Sequence, residues 1–213
     1  MDRQHTMRSF MTRASVIPVL AIDRKEHALP IARALFDGGL SVIEVTLRTP
    51  AALAAVEQIA TQLPAVSVGV GTCTRPEQLQ AAEAAGAQFL VSPGLTDGLI
   101  EAACDLQIPL LPGVSTASEL MRAVDAGYQH LKFFPAESSG GVAALRAFSG
   151  PFPDVCFCPT GGIHPGNLKD YLGLANVLCV GGSWLAPQAV VEAGDWPRIT
   201  ALAEAVASAR DEV

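Results

Sequence analysis

Eight short apolar runs rich in Val, Ile and Leu punctuate this chain, separated by Ala-rich segments with helical spacing. The runs fall at residues 16–22, 42–46, 67–71, 88–92, 109–113, 130–134, 155–159 and 177–180, about 20–25 residues apart. Helices are expected at 25–36, 50–62, 76–85, 96–105, 117–124 and 141–148, with a short leading helix over 2–15 and a last helix over 195–213. Strands that alternate with helices pair in parallel through right-handed crossovers. Eight such units predict a closed α/β architecture, the (β/α)8 TIM barrel with a leading N-terminal helix. The rival is an open doubly wound sheet, which the absence of G-x-G-x-x-G after the first run disfavours for dinucleotides. With 213 residues, half of them hydrophobic, the chain can bury one core, so a single domain over 1–213 is expected.

Local signals agree with this division. Gly38-Gly39, Gly86 and Gly127 stop helices. Pro50, Pro76 and Pro165 fit first-turn positions. Ser115-Thr116 followed by Glu119 forms a capping-box pattern.

The net charge of −7 argues against nucleic acid or an anionic membrane surface as partner, while leaving room for a small phosphorylated substrate. No apolar window has the length and flanks of a membrane span, and the first residues lack a signal-peptide core. Five cysteines, an odd number mostly in apolar runs, suit reduced thiols in a cytoplasmic protein. Cys156-x-Cys158 is one residue short of metal spacing, and the four histidines are scattered, so no metal is expected.

One lysine stands apart. Lys25 and Lys169 have polar neighbours, whereas Lys132 lies in Leu131-Lys132-Phe133-Phe134-Pro135. Desolvation there disfavours an ammonium, and a neutral amine attacks carbonyls, so Lys132 reads either as a Schiff-base lysine or as a lysine snorkelling from a strand end. Side chains alternate along a strand. In the second run Glu44 shares a face with Val42 and Thr46, opposite the apolar set Ile43, Val45 and Leu47 that must cover the helices. Glu44 therefore points inward. It either pairs structurally with Arg48, four residues on, or takes part in chemistry. The same parity turns His130, Lys132 and Phe134 inward, so a lysine and a carboxylate from two strands are expected to meet inside.

Gly69 and Gly71 leave space on the inner face for a ligand or a side chain from across the sheet, and Thr72 follows the strand end. Ser92-Pro93-Gly94 and Pro112-Gly113 read as turns, with Pro93 kept as a candidate lining residue. Thr160-Gly161-Gly162 and Gly181-Gly182-Ser183 follow the seventh and eighth runs. Those are the positions where such barrels bind phosphate through backbone N–H groups and a helix N-terminus.

The heptad around Lys132, residues 131–137, and the segments Glu44-Val45-Thr46-Leu47-Arg48-Thr49, Gly69-x-Gly71-Thr72, Pro159-Thr160-Gly161-Gly162-Ile163 and Gly181-Gly182-Ser183-Trp184-Leu185 resemble the 2-keto-3-deoxy-6-phosphogluconate (KDPG) aldolase and 4-hydroxy-2-oxoglutarate aldolase family. The resemblance runs from about Val16 to the C-terminal helix. It implies a cofactor-free, metal-free class I lyase of the cytoplasmic Entner–Doudoroff pathway, built as a homotrimer of barrels. By that resemblance Lys132 forms the Schiff base and Glu44 is the acid/base. Arg48 and Thr72 would hold the pyruvate half, with Pro93 and Phe134 lining it. Thr160, Gly161, Gly162, Gly182 and Ser183 would complete the substrate site, most of them around the phosphate. A phosphogalactonate aldolase and a non-catalytic phosphosugar-binding barrel are the alternatives.

Overall fold

A computed structural model describes residues 3–209. Its strands are β1 (Val16–Leu20), β2 (Val42–Thr46), β3 (Ser67–Gly71), β4 (Phe89–Val91), β5 (Leu110–Leu111), β6 (Gly113–Val114), β7 (His130–Phe133), β8 (Cys156–Pro159) and β9 (Val180–Gly182). The helices are α1 (Arg3–Thr12), α2 (Ala28–Asp37), α3 (Ala52–Gln62), α4 (Pro76–Ala84), α5 (Asp97–Cys104), α6 (Ala117–Asp125), α7 (Gly141–Phe148), α8 (Leu168–Leu172), α9 (Gln188–Glu192) and α10 (Trp196–Ala207). The ends of the expected first and last helices, residue 2 and residues 210–213, lie outside the described residues.

The strands form a curled, wholly parallel α/β sheet in two pieces, ordered β5-β4-β3-β2-β1-β9 and β6-β7-β8. Isolated parallel bridges Phe157–Val177 and Thr160–Gly181 join β8 to the segment that carries β9.

The two places where the strands depart from expectation have local causes. Residues 109–113 do not end in a turn at Pro112-Gly113. Pro112 has no N–H to give to the ladder and splits the run into β5 and β6. Gly113 pairs with Lys132, and the Pro112 carbonyl accepts from Lys132 N at 2.9 Å. The last strand is shifted from 177–180 to Val180–Gly182, so that two glycines carry ladder positions. Of the three prolines placed in first turns, Pro76 opens α4, whereas Pro50 and Pro165 sit in turns ahead of α3 and α8. The capping box forms as expected: Thr116 Oγ1 accepts from Glu119 N at 3.3 Å, and Glu119 Oε2 accepts from Thr116 N at 2.9 Å.

Alternation sorts the apolar residues into two cores. Ile43, Val45, Val68, Val70, Leu131, Phe133 and Phe157 face the helices and are buried against residues such as Ile31, Leu35, Val56 and Ile59. Each side chain of this size stabilises by about 1.5–3 kcal/mol when fully buried. Ile17, Val42, Phe89, Val91, Leu111 and Cys158 face inward and pack with Met7 and Met11 of α1. Two residues of α1 and Arg13 just past its end place the helix at the amino ends of the strands. Gln4 Oε1 accepts from Gln129 N and His130 N where β7 begins, Arg8 reaches Cys156 Sγ at the start of β8, and Arg13 donates to Ser67 Oγ at the start of β3. That end is filled with side chains, which leaves the carboxyl ends for chemistry.

Candidate active site

Inside the curled sheet, Lys132 Nζ lies 3.5 Å from Glu44 Oε1, with the two side chains 6% and 5% exposed. Lys132 on β7 is flanked in register by Gly113 and Cys158, and Glu44 on β2 by Val19 and Gly69. The parity expectation thus holds in space. A buried ion pair is costly to assemble from water, so its presence where apolar residues would pack more cheaply asks for a use. Although Lys132 is near, Glu44 Oε1 accepts no hydrogen bond from the described residues. This oxygen is therefore available as a base rather than saturated by structural donors.

Glycine makes room for the carboxylate. A Cβ on Gly71 would stand 1.8 Å from Glu44 Oε1, and one on Gly69 would stand 2.3 Å from the Phe89 ring. The space on the inner face of β3 is therefore filled from the neighbouring strands β2 and β4, not from across the sheet. Thr72, one residue beyond β3, is half-buried and has φ of 63°. A β-branched residue in the left-handed region is strained, and such strain is held at sites where it serves a purpose.

The Phe134 ring lies 5.2 Å from Lys132 Nζ, close enough for a cation–π contact and for walling the amine from water. Pro93 approaches the same strand layer, because a Cβ on Gly113 would meet the Pro93 carbonyl at 2.3 Å.

Arg48 does not pair with Glu44. It is exposed and lines a cavity of about 550 Å³ together with Asp23, Arg24, His27, Ser183 and Glu192. A larger cavity of about 930 Å³ lies outside the sheet between α2, α3 and α10 and contains neither Lys132 nor Glu44. The buried ionisable pair, not cavity size, locates the chemistry. His130, the one inward histidine, sits at the closed amino end with Nδ1 3.2 Å from Gln4 Oε1.

The two Gly-Gly segments lie side by side. Thr160, buried, rests its hydroxyl where a Gly181 side chain would be, 2.2 Å from that Cβ position. Gly161 and Gly162 have φ of 101° and 79°, so the loop presents a backbone that side-chain-bearing residues rarely adopt. A Gly182 Cβ would meet the Trp184 ring at 2.4 Å, and Ser183 is exposed at the mouth. One part of the phosphate expectation fails: the helices after these loops begin only at Leu168 and Gln188 and have five residues each. No helix N-terminus follows directly, and backbone N–H groups of the loops are the available donors.

The sequence left the role of Glu137 open and did not single out Tyr171. The fully buried Tyr171 donates a hydrogen bond to Glu137 Oε1, and Glu137 N donates to Gly161 O at 3.1 Å. The only signal was the position of Glu137 at the end of the lysine heptad.

Comparison with known proteins identifies the family. The family model described as KDPG and KHG aldolase matches residues 7–202. The chain is 58% identical over 195 residues to the 2-dehydro-3-deoxy-phosphogluconate aldolase of Pseudoalteromonas atlantica, covering 91% of each protein. It is 54% identical over 203 residues to the KHG/KDPG aldolase of Escherichia coli K12, covering 95% of each. Among solved structures, the KDPG aldolase of Legionella pneumophila, with pyruvate captured at low pH as a covalent carbinolamine, superposes with a TM-score of 0.93. That pair is 48% identical, and the match covers 94% of this chain and 98% of the other. The chain belongs to the KDPG and KHG aldolase family.

Proposed function

We propose that this protein is a class I aldolase that cleaves 2-keto-3-deoxy-6-phosphogluconate to pyruvate and glyceraldehyde 3-phosphate, and 4-hydroxy-2-oxoglutarate to pyruvate and glyoxylate. The observation that carries the reading is the buried Lys132–Glu44 pair at 3.5 Å. A phosphosugar-binding barrel without catalysis would need the glycine loops but would have no use for that pair.

Lys132 Nζ adds to the C2 ketone to give a carbinolamine, which loses water to an iminium. Glu44 stands where it can take the proton that the amine sheds before attack and return it to the hydroxyl that leaves the carbinolamine as water, which frees the carboxylate for the next step. The iminium draws the electrons of the C3–C4 bond as Glu44 removes the C4 hydroxyl proton, and the aldehyde leaves. Protonation of the enamine at C3 and hydrolysis then release pyruvate and restore the lysine. Arg48 and Thr72 hold the pyruvate carboxylate, Arg48 through a forked contact. Pro93 and Phe134 wall the reacting carbons, while Thr160, Gly161, Gly162, Gly182 and Ser183 receive the phosphate end.

We further infer that the two sheet pieces close into one (β/α)8 barrel and that residues 1–213 form a single catalytic domain. The bridges from β8 to the β9 segment and the Lys132–Pro112 hydrogen bond support closure. The homotrimer fits the exposed apolar pair on α6, Met121 at 59% and Val124 at 41%. A cytoplasmic place in the Entner–Doudoroff pathway fits the family and the free cysteines; no helix among the described residues is long and apolar enough to cross a membrane. A substrate panel with coupled detection of pyruvate tests the function. Release from the phosphogluconate-derived acid above its C4 epimer is expected. Preference for the epimer would transfer the assignment to a phosphogalactonate aldolase, and no release from any member would leave the binding-protein reading.

A further inference from the structure

The Gly161–Gly162 loop is held from two sides. On one, Asn167 Nδ2 donates to Gly162 O at 3.1 Å, and Asn167 Oδ1 accepts from His164 N at 2.8 Å. On the other lies Glu137, the residue that ends the segment following β7. Its N–H donates to Gly161 O, and its Cγ would be 2.5 Å from a Cβ on Gly162, so its methylenes lie directly against the loop backbone. Beyond them, the carboxylate is drawn toward Tyr171, whose hydroxyl donates to Oε1. Gly141, at the start of α7, is close to both groups: its Cβ position is 3.1 Å from the Tyr171 hydroxyl and 3.3 Å from Glu137 Oε1.

We propose that Glu137, anchored by Tyr171, is a positioning residue that shapes the Gly161–Gly162 loop for the substrate's phosphate and keeps its own charge turned away from it. The inference rests on the reading of that loop as phosphate-binding. A carboxylate beside an anion site is a liability, since like charges at short range repel. Here the liability is neutralised by direction. Burial, reinforced by the hydrogen bond and charge of Glu137, pushes the Tyr171 hydroxyl above its ordinary range, so it stays a donor at working pH. The methylenes facing Gly162 then act as a buttress, and the charge is spent on Tyr171.

The test compares KM for 2-keto-3-deoxy-6-phosphogluconate with KM for 2-keto-3-deoxygluconate, the same acid without phosphate. Tyr171→Phe frees the carboxylate and should raise KM for the phosphorylated acid about tenfold while KM for the other moves less than about threefold. Adding Glu137→Gln to Tyr171→Phe should restore most of the loss, because the charge is removed. Glu137→Ala removes the buttress and should show the same selective rise in protein that melts as wild type does. Equal KM changes for both acids, or no change in any folded variant, would overturn the positioning role. Wild-type protein that does not discriminate between the two acids would instead overturn the phosphate reading, and this inference with it.

Discussion

Glu44 Oε1 lies 3.5 Å from Lys132 Nζ, and only the absence of a side chain at Gly71 allows it to be there. The two charges come from strands that are far apart in the sheet order, so the pair depends on the curl of the sheet, not on local sequence. It also makes the functional roles separable by mutation.

Glu44→Gln keeps the shape of the side chain and removes its basicity. Turnover should fall by about 10²–10⁴, the usual contribution of a positioned acid/base, while covalent trapping of pyruvate persists. Steady-state kinetics beside trapping checks this. Unchanged turnover would remove Glu44 from the chemistry.

At Gly71 a methyl group has nowhere to go, since its carbon would overlap the Glu44 carboxylate. Gly71→Ala should therefore push Glu44 off Lys132, lowering kcat, and cost about 1–3 kcal/mol of stability as overpacking does. Gly94, where an added Cβ would meet nothing within 4 Å, is the control, and its alanine variant should keep both. Thermal melts with kinetics on the two variants decide the matter.

Much of this site was legible from residue order because parity along a strand is a covalent fact. Inward Glu44 and Lys132 followed from the apolar sets on the opposite face. The residues that escaped are those whose meaning is tertiary. Phe89 against Gly69, Trp184 against Gly182 and Thr160 against Gly181 are contacts between segments, and a glycine does not announce which neighbour will fill its space. Pro112 looked like an end because proline usually punctuates. Instead the chain resumes pairing one residue later, since a proline still offers its carbonyl. Arg48 has the right parity for Glu44 but lies past the strand end, where the chain no longer holds the alternation, and it turns to the mouth.

Cys73 yields a pH prediction. Burial, with the nearby Glu44 charge second, pushes its thiol up from 9.0 to about 12. Once unfolded, the thiol ionises at its ordinary value, so above it the unfolded chain binds fewer protons and stability falls as pH rises. Wild-type protein should lose stability between about pH 9 and 11 relative to Cys73→Ala, measured by denaturant melts across that range. Iodoacetamide at pH 8 should label exposed Cys104 and spare Cys73 in the native state. Parallel pH profiles for the two proteins, or native labelling at Cys73, would contradict the buried, protonated thiol.

The most direct measurement is reductive trapping: incubation with pyruvate and sodium borohydride, followed by intact-mass and peptide-level mass spectrometry. The account predicts one pyruvate-derived adduct per chain, carried by the peptide containing Lys132, with activity lost in proportion and no adduct in Lys132→Arg. Protein of unchanged mass, or an adduct on Lys25 or Lys169 with activity intact, would contradict it.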